Sequence, residues 1–230
     1  LIEKNIRLVD YECIREQFPE GRGKRLLAFG RIAGIAGTIN ILKGIGELLL
    51  ARQVSTPFTF TKLSYMYPSV EDALNSLRTL GGYIKEQYLA EKYCPFDIGI
   101  LGRGEVSSGV QEALKYLPHK FLTPKELING ELEKSRDTIN VVVFGLEDIY
   151  EKKGGEFDRS EFIKSPELYT SIFEKKYLKN IHVLINGLYR EQRYPKIITK
   201  SGLKSMMSVH ACNLLAIADI TCDVNGSIEI

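Results

Sequence analysis

The sequence predicts an α/β fold: a Rossmann-like, doubly wound parallel sheet with a helical connector and remnants of a second domain. Short apolar runs alternate with helical patterns in the second half of the chain, which is typical of parallel strands joined by crossover helices. A glycine-rich turn stands between the first of these runs and a helix, as in dinucleotide-binding folds. The 230 residues, 44% of them hydrophobic, are enough to bury one large domain with part of another.

The chain divides into three predicted parts. Residues 1–23 are polar and turn-rich and read as an entry segment, which the family resemblance given below implies is the end of a first, substrate-binding and catalytic domain. Residues 24–93 are expected to form a helical connector and hinge, and residues 94–230 the dinucleotide-binding domain. Because the sequence starts at Leu1 and stops within what reads as an element, we expect the natural polypeptide to extend beyond both ends.

The first helix of the connector carries an unusual run of small residues. It follows a possible strand, Lys24–Gly30, and is predicted from Arg31 to about Gln53. Small residues spaced three and four apart form a smooth helix face that lets another backbone come close. They are Ala33, Gly34, Ala36 and Gly37. We interpret this face as close helix packing rather than ligand binding.

A second connector helix is predicted from Ser69, a suitable N-cap residue, to about Tyr93. Gly81 and Gly82 are expected to bend or break it. The helix Val106–Tyr116 follows later in the chain. Five apolar runs are predicted strands: Asp97–Leu101, His119–Leu122, Ile139–Phe144, Ile181–Ile185 and Leu214–Ile220. The charged stretch Tyr150–Lys179 is expected to be a solvated helical insertion between strands.

The glycine turn, residues 102–106, is the sharpest local signal. It reads Gly102, Arg103, Gly104, Glu105 and Val106. A tight turn between a strand and a helix lets backbone N–H groups face a pyrophosphate. The third glycine of the GxGxxG motif is a serine here, so the motif alone is weak. An ordinary strand-to-helix turn is the alternative, but the strand before and the helix after favour cofactor binding.

The choice between NAD and NADP stays open. A site for the unphosphorylated cofactor usually has an acidic residue after the second strand, where it binds the ribose 2′-hydroxyl. Here Thr123 stands at that position, with Lys120 and Lys125 beside it and Arg103 in the glycine turn. Without a carboxylate to repel a 2′-phosphate, NADP is expected to fit. The lysines are equally explained as solvated surface charges.

Two further strand ends carry candidate ligand contacts. Gly187 and Tyr189 follow the fourth predicted strand, and the fifth ends at Asp219–Asp223. Open α/β sheets bind ligands at the carboxyl ends of their strands. A carboxylate there either contacts a ligand or caps the next element, and the sequence does not separate these two interpretations.

Composition disfavours several classes of function. A net charge of +2 offers no electrostatic argument for nucleic acid or an anionic membrane, and apolar runs such as Leu48–Ala51 are too short to cross a bilayer. The four cysteines and three histidines are dispersed, so we expect no metal site. Scattered thiols favour a reducing intracellular compartment, either the cytoplasm or the mitochondrial matrix.

Motifs along nearly the whole chain resemble the saccharopine dehydrogenase and lysine–ketoglutarate reductase family. They occur in the family's order: Gly23–Gly30 with Ala33–Gly37, Ser55–Phe58, Leu184–Gln192, and Ala218–Asp223 with Gly226–Glu229. The resemblance is to the reductase half of the bifunctional α-aminoadipic semialdehyde synthase. It implies an oxidoreductase of lysine catabolism that joins lysine and 2-oxoglutarate to saccharopine with a reduced nicotinamide, or runs the reverse reaction. It also implies a homo-oligomer or a fusion to a second dehydrogenase.

The resemblance also implies roles for individual residues. Arg25 and Phe29 would contact substrate, with Thr221, Cys222 and Asp223 at the cleft between two domains. Lys24, the glycine turn, Thr123, Tyr189 and Ile220 would contact the dinucleotide. The guanidinium of Arg25 suits a carboxylate, which it can bind through two parallel hydrogen bonds. Ordinary packing is the alternative for Phe29, and a surface cation for Arg25.

The chain departs from the family in its acid/base chemistry. The family's general acid/base Lys and His lie before the position that matches Gly23, and no histidine of this chain falls there. We therefore expect an incomplete active site, with no catalytic residue in this chain and little turnover by it alone. An alanine dehydrogenase-like enzyme and a non-catalytic dinucleotide-binding or regulatory module remain the alternatives.

Overall fold

The computed structural model describes residues 2–18, 21–130, 134–189, 191–208 and 212–229. Within these ranges, the side chains of residues 2, 17, 18, 21, 22 and 24 are not described. The chain divides into two compact units, Leu1–Gly30 and Arg31–Ile230. The two connector helices share a hydrophobic core with the sheet.

The small unit contains an antiparallel pair of strands. Strand β1 spans Arg15–Phe18 and β2 spans Gly21–Arg25, and two 3₁₀ turns, Ile2–Lys4 and Tyr11–Cys13, come before them. The predicted strand Lys24–Gly30 overlaps β2 only at its first two residues. Leu26 and Leu27 are exposed in this unit rather than buried in a strand.

The large unit contains a five-stranded parallel sheet and a two-stranded antiparallel one. Helices α1 (Gly30–Ala51) and α2 (Val70–Gln87) come first. The strands are β3 (Phe96–Leu101), β4 (His119–Leu122), β5 (Ile139–Phe144), β6 (Tyr150–Lys152), β7 (Tyr169–Ser171), β8 (Val183–Asn186) and β9 (Ala216–Asp219). Between them lie α3 (Glu105–Leu114), α4 (Pro124–Asn129), α5 (Leu146–Ile149), α6 (Arg159–Lys164), α7 (Phe173–Lys176) and α8 (Lys200–Ser208).

The order of the parallel sheet is β4-β5-β3-β8-β9, so β5 and not β4 lies next to β3. The composition of the two strands explains the order. Strand β5 is almost entirely apolar and buried, as a central parallel strand must be. Strand β4 exposes Lys120 and Phe121, which is tolerated only at an edge. The predicted parallel α/β sheet is confirmed.

Helices cover both faces of this sheet. On one face, α1, α2 and α3 pack against residues such as Ile98, Val141 and Val183. On the other face, Val142 and Leu184 pack with a second core that contains a group of buried aromatic side chains. These are Phe144, Tyr150, Phe162, Tyr169, Phe173 and Tyr177. The sheet is therefore doubly wound, as predicted.

Most of that aromatic core comes from residues 150–179, which were predicted to be a solvated helical insertion. The structure instead pairs β6 with β7 in antiparallel fashion and joins them through α6. The charged side chains of this segment pair with one another: Lys152 lies 2.8 Å from Glu161, which also accepts a hydrogen bond from the Tyr169 hydroxyl. The hydrogen bond from Lys152 and that from Tyr169 lower the pKa of Glu161. The prediction was wrong because the aromatic residues of this segment lie among charged residues. Their spacing has no clear helical or strand period that would mark them as buried.

Helices α1 and α3 cross at backbone contact, which confirms the interpretation of the small residues. A Cβ atom on Gly34 would lie 2.1 Å from the carbonyl oxygen of Val106, and one on Gly109 would lie 1.9 Å from that of Arg31. Beside the crossing, the guanidinium of Arg31 donates two hydrogen bonds of 2.6 Å to Glu112. Glycine is required at both positions because any side chain would separate the helices.

Helix α2 runs through Gly81 and Gly82 without the predicted break. A Cβ on Gly81 would lie 2.9 Å from the carbonyl oxygen of Tyr116, so this glycine also permits a close approach. Helix α1 has the length and hydropathy of a membrane span. Its apolar stripe, however, is buried in the core under the sheet, an arrangement typical of a core helix.

Candidate functional site

The carboxyl edge, defined here as the ends of β3, β5, β8 and β9, brings four segments together. The last residues of these strands are register partners: Leu101 pairs with Phe144 on one side and Asn186 on the other, and Asn186 pairs with Asp219. Whatever follows each strand therefore lies along one line. The segments that follow include the glycine turn, Tyr189 and Ile220–Asp223, as the sequence predicted for parallel strands.

The glycine turn begins with a residue in the left-handed region. Gly102 has φ +94° and donates its N–H to the Phe144 carbonyl at 3.0 Å. A Cβ there would be strained and would lie 3.1 Å from Leu188 Cδ1. The requirement for glycine at this turn is therefore set both by the backbone and by the segment after β8.

The start of α3 has the features of a phosphate cradle. Gly104 precedes the helix, supplies no side-chain cap, and has open space where a Cβ would be. The first backbone N–H groups of a helix lack intrahelical partners and carry a partial positive charge. A pyrophosphate therefore fits here, with Val106 half-buried behind the turn. The exposed carboxylate of Glu105, in the first turn of α3, acts against an anion rather than for it.

Two carboxylates that follow β5 hold Arg103. The guanidinium forms an ion pair with Glu147 and lies 3.4 Å from Asp148, whose carboxylate also accepts the Gly145 N–H at 2.8 Å. Burial raises the pKa of Glu147, but hydrogen bonds from its own backbone N–H and from Arg103 outweigh that effect. The net pKa of Glu147 is lowered, so its carboxylate is charged at neutral pH.

A buried polar cluster joins the ends of β8 and β9. The side-chain amide of Asn186, which is fully buried, donates to Asp219 Oδ1 at 2.9 Å and to Ser227 Oγ at 2.8 Å. Thr221 donates its hydroxyl to the same Asp219 oxygen at 2.8 Å. The second carboxylate oxygens of Asp219 and Asp223 are buried and have no hydrogen-bond partner among the described residues. Most buried polar atoms in folded proteins have a hydrogen-bond partner, so these two oxygens are exceptions.

The other predicted contacts near this cluster differ in accessibility. Tyr189 is 67% exposed, and Cys222 is exposed with φ +52°. Ile220 donates its backbone N–H to the Asn186 carbonyl at 3.1 Å. Its side chain packs against α1, where a Cβ on Gly37 would lie 2.5 Å from Ile220 Cδ1. The N–H and the side chain of Ile220 are therefore both engaged within the large unit.

Thr123, a predicted dinucleotide contact, does not follow one of these four strands. It follows β4, the edge strand that β5 separates from β3. Its hydroxyl accepts the backbone N–H of Glu126 and its own N–H donates to the Glu126 carboxylate at 2.7 Å, forming a capping box. The hydrogen bond from the Thr123 backbone, followed by that from its hydroxyl, lowers the pKa of Glu126. The position therefore has a structural explanation.

The remaining predicted site residues belong to the small unit. Arg25 is half-exposed and forms an ion pair with Glu12 at 3.1 Å. Phe29 is 60% exposed and meets the ring of Tyr11 edge-on, with 5.8 Å between the ring centres. The side chain of Lys24 lies outside the described part of the structure. Neither side chain is packed in a core.

Sequence reasoning missed Glu147, Asp148 and Asn186. A polar residue at the end of the apolar run Val183–Ile185 could have identified Asn186. To predict Glu147 and Asp148, the strand order would have to be known, and the hydrophobic pattern of the sequence does not give that order. No group of three or more His, Cys, Asp or Glu that could hold a metal ion occurs among the described residues.

Comparisons with known proteins place the chain in a larger context. No family model matches it. It is 34% identical over 242 residues to alpha-aminoadipic semialdehyde synthase of Arabidopsis thaliana, a match that covers all of this chain and 22% of that protein. It is also 34% identical to the mitochondrial enzymes of the same name from Mus musculus and Bos taurus, again over all of this chain and 26% of each relative. The chain therefore spans about a quarter of the length of these relatives. It is similar along its whole length to one segment of the alpha-aminoadipic semialdehyde synthases, as the resemblance of its motifs predicted.

Proposed function

We propose that this chain is the dinucleotide-binding part of a lysine–ketoglutarate reductase, the lysine-forming type of saccharopine dehydrogenase. The similarity over its whole length to the semialdehyde synthases carries the proposal. The glycine turn between a central parallel strand and a helix agrees with it. The names of the mouse and bovine relatives assign those proteins to mitochondria, one of the two compartments that the cysteines favour.

Different residues of the carboxyl edge would bind two ligands, the dinucleotide and the substrate. The glycine turn and the first N–H groups of α3 would hold the pyrophosphate of NAD or NADP. When bound, the nicotinamide would supply the hydride for the imine that joins lysine to 2-oxoglutarate. Asp219 and Asp223 would accept hydrogen bonds from the amino groups of lysine or saccharopine, beside Thr221 and Cys222. They would do so through the carboxylate oxygens that have no partner among the described residues. Proton transfer would belong to residues outside this chain.

We expect Gly104→Asp to weaken binding of a reduced nicotinamide dinucleotide at least about tenfold. Gly104 faces open space, so the new side chain fits, and aspartate is a preferred N-cap residue that stabilises a helix. The loss of binding would therefore come from the added charge beside the pyrophosphate and from capping of the N–H groups. Isothermal titration calorimetry on the 230-residue chain measures it.

The matched control for this experiment is Gly44→Asp. It adds the same charge at an exposed position of α1 where a Cβ also meets nothing within 4 Å. The control should bind as the unsubstituted chain does. Equal binding by the chain and by Gly104→Asp, or no binding by either, would refute a dinucleotide site at the glycine turn.

Arg25→Ala is expected to raise the KM for 2-oxoglutarate or saccharopine about ten- to hundredfold in the full-length enzyme. The loss of a charged hydrogen-bond partner to a carboxylate costs roughly 1.5–3 kcal/mol. Arg25→Lys should restore only part of the affinity, because a single ammonium cannot form two parallel bonds. Steady-state assays with lysine, 2-oxoglutarate and reduced cofactor measure the effect.

Arg7→Ala, which removes an exposed arginine of the same unit, serves as the control for Arg25→Ala. If Arg25→Ala lowered dinucleotide affinity and left the KM of the oxo acid unchanged, the residue would serve the cofactor instead. If it lowered only the melting temperature, its ion pair with Glu12 would be structural.

A further inference from the structure

The amino edge of the parallel sheet, opposite the glycine turn, carries a buried group of three polar side chains. Asp97 and Asn140 are the second residues of β3 and β5, and His182 comes directly before β8. All three are buried, and the Asp97 carboxylate accepts a hydrogen bond of 2.9 Å from the Asn140 amide. Burying polar groups costs free energy unless they find hydrogen-bond partners, so the partners of each atom matter.

The imidazole of His182, which is 6% exposed, is fixed by its neighbours. Its Nδ1 accepts the backbone N–H of Asp97 at 3.2 Å. One face of the ring stacks on Phe96, with 5.3 Å between the ring centres, and the ring of Tyr93 meets it edge-on. Because Nδ1 accepts an N–H, the proton of the neutral ring lies on Nε2. This Nε2–H donor has no acceptor among the residues that the structure describes.

His182 lines a cavity of about 400 Å³, which we call the amino-edge cavity. The cavity lies between the end of α1, the 3₁₀ turn before β3 and the segment before β9. Its described lining combines cations with apolar side chains and includes no acidic residue. The residues that carry the argument are His182, Arg52, Lys92, Tyr93, Leu214 and Leu215.

The surroundings of the amino-edge cavity are also positive when neighbouring charged residues are counted. Asp97 contacts the Nδ1 edge of the imidazole, on the side away from Nε2. Glu91 is 84% exposed and lies 3.8 Å from Arg136. Lys179 adjoins the segment before β9, since its carbonyl accepts the Asn213 N–H. With the two cations of the lining, these four cations outnumber the two carboxylates.

We propose that the amino-edge cavity binds a small organic anion. Its carboxylate or phosphate group would accept hydrogen bonds from His182 Nε2, Arg52 and Lys92, and its apolar part would pack against the apolar lining. The volume is in the range that holds small ligands, and hydrogen bonds from charged donors to an oxyanion are strong. Open α/β sheets bind their cofactors at the carboxyl ends of the strands. This site lies at the other edge, so the inference does not depend on the proposed dinucleotide site.

The test titrates the ¹⁵N-labelled 230-residue chain with phenylacetate, phenyl phosphate and the neutral 2-phenylethanol, followed by NMR. We expect at least one of the two anions to bind at least about tenfold more tightly than 2-phenylethanol. The same anion should shift the Nε2 signal of His182, because its oxygen accepts that proton. Whichever anion binds more tightly identifies the head group that the site prefers.

Two variants locate the binding. Lys92→Met removes an exposed cation of the lining and should weaken binding of the anion about tenfold, while 2-phenylethanol binds as before. His182→Asn keeps an acceptor for the Asp97 N–H but removes the Nε2 donor, and it should weaken the anion to a similar extent. The matched control is Lys164→Met, which removes an exposed cation from α6 and should change nothing.

Three results would overturn the inference. Neither anion might bind more tightly than 2-phenylethanol, Lys92→Met might bind the anion as tightly as the unsubstituted chain, or Lys164→Met might weaken binding as much as Lys92→Met. Melting temperatures verify that each variant is folded. If His182→Asn is unfolded, Lys92→Met still decides, because its side chain is exposed.

Discussion

Gly109→Ala should destabilise the large unit by about 3 kcal/mol, at the upper end of what overpacking costs. The single added methyl group would lie 1.9 Å from the carbonyl oxygen of Arg31, which belongs to backbone and cannot rotate away. The crossing of α1 and α3 must open to admit it, and the bidentate ion pair between Arg31 and Glu112 would be stretched with it. Urea denaturation, read from the change in midpoint at constant slope, measures the loss.

The same substitution at Gly44 provides a control of opposite sign. Gly44 is also helical, but a Cβ there meets nothing within 4 Å. Alanine has the higher helix propensity, so Gly44→Ala should be neutral or stabilising by up to about 1 kcal/mol. If Gly109→Ala behaved like Gly44→Ala, the two helices would not be in backbone contact.

Asn186→Asp should cost about 3 kcal/mol of stability near neutral pH, with almost no change in side-chain volume. The replacement exchanges a donor for an acceptor within hydrogen-bond distance of the Asp219 carboxylate and removes the donor to Ser227. Two buried carboxylates in contact cannot both ionise without a large penalty. The carboxyl group introduced at position 186 should therefore have a raised pKa in the folded protein.

The sign of the pH dependence follows from that raised pKa. A group that binds its proton more tightly when folded stabilises the fold below its unfolded pKa of about 3.9, and this contribution is lost as pH rises. The loss relative to the unsubstituted chain should thus be small near pH 4 and large near pH 7. Denaturation across this range measures it, with the exposed Asn129→Asp as the control, expected to stay within about 0.5 kcal/mol. A penalty independent of pH would contradict the account.

The sequence predicted most of the sheet but not its order. The run Ile139–Phe144 is apolar enough to be recognised as a buried strand, and its bounds match β5. The hydrophobic pattern could not show that β5 lies between β4 and β3. Strand order depends on which faces and edges pack in three dimensions, and here the exposed Lys120 and Phe121 decide that β4 lies at the edge.

The candidate site was predictable to the same extent. The glycine turn, Tyr189 and Asp223 follow strands that were found, so their place on one edge followed from parallel pairing. Glu147 was missed because its ion pair with Arg103 depends on β5 lying beside β3. The close-packing face of α1 was predicted correctly because a helix has a fixed period. Gly34 and its neighbours therefore share one face whatever packs against them.

The strand order also bears on how the chain acquires its structure. Strand β3 lies at the centre of the sheet, yet its partner strands come much later in the sequence. Phe96 pairs with Ile139, and Ile98 pairs with Val183. The nearest strand in sequence, β4, cannot serve as a partner, because among the described strands it pairs with β5 alone. During synthesis, both sides of β3 remain open until residue 139 has emerged, and one side until residue 183. The chain must lose the conformational entropy of closing these long loops before the strand pairs can stabilise it. We therefore expect folding to be slow and chaperones to bind the nascent chain.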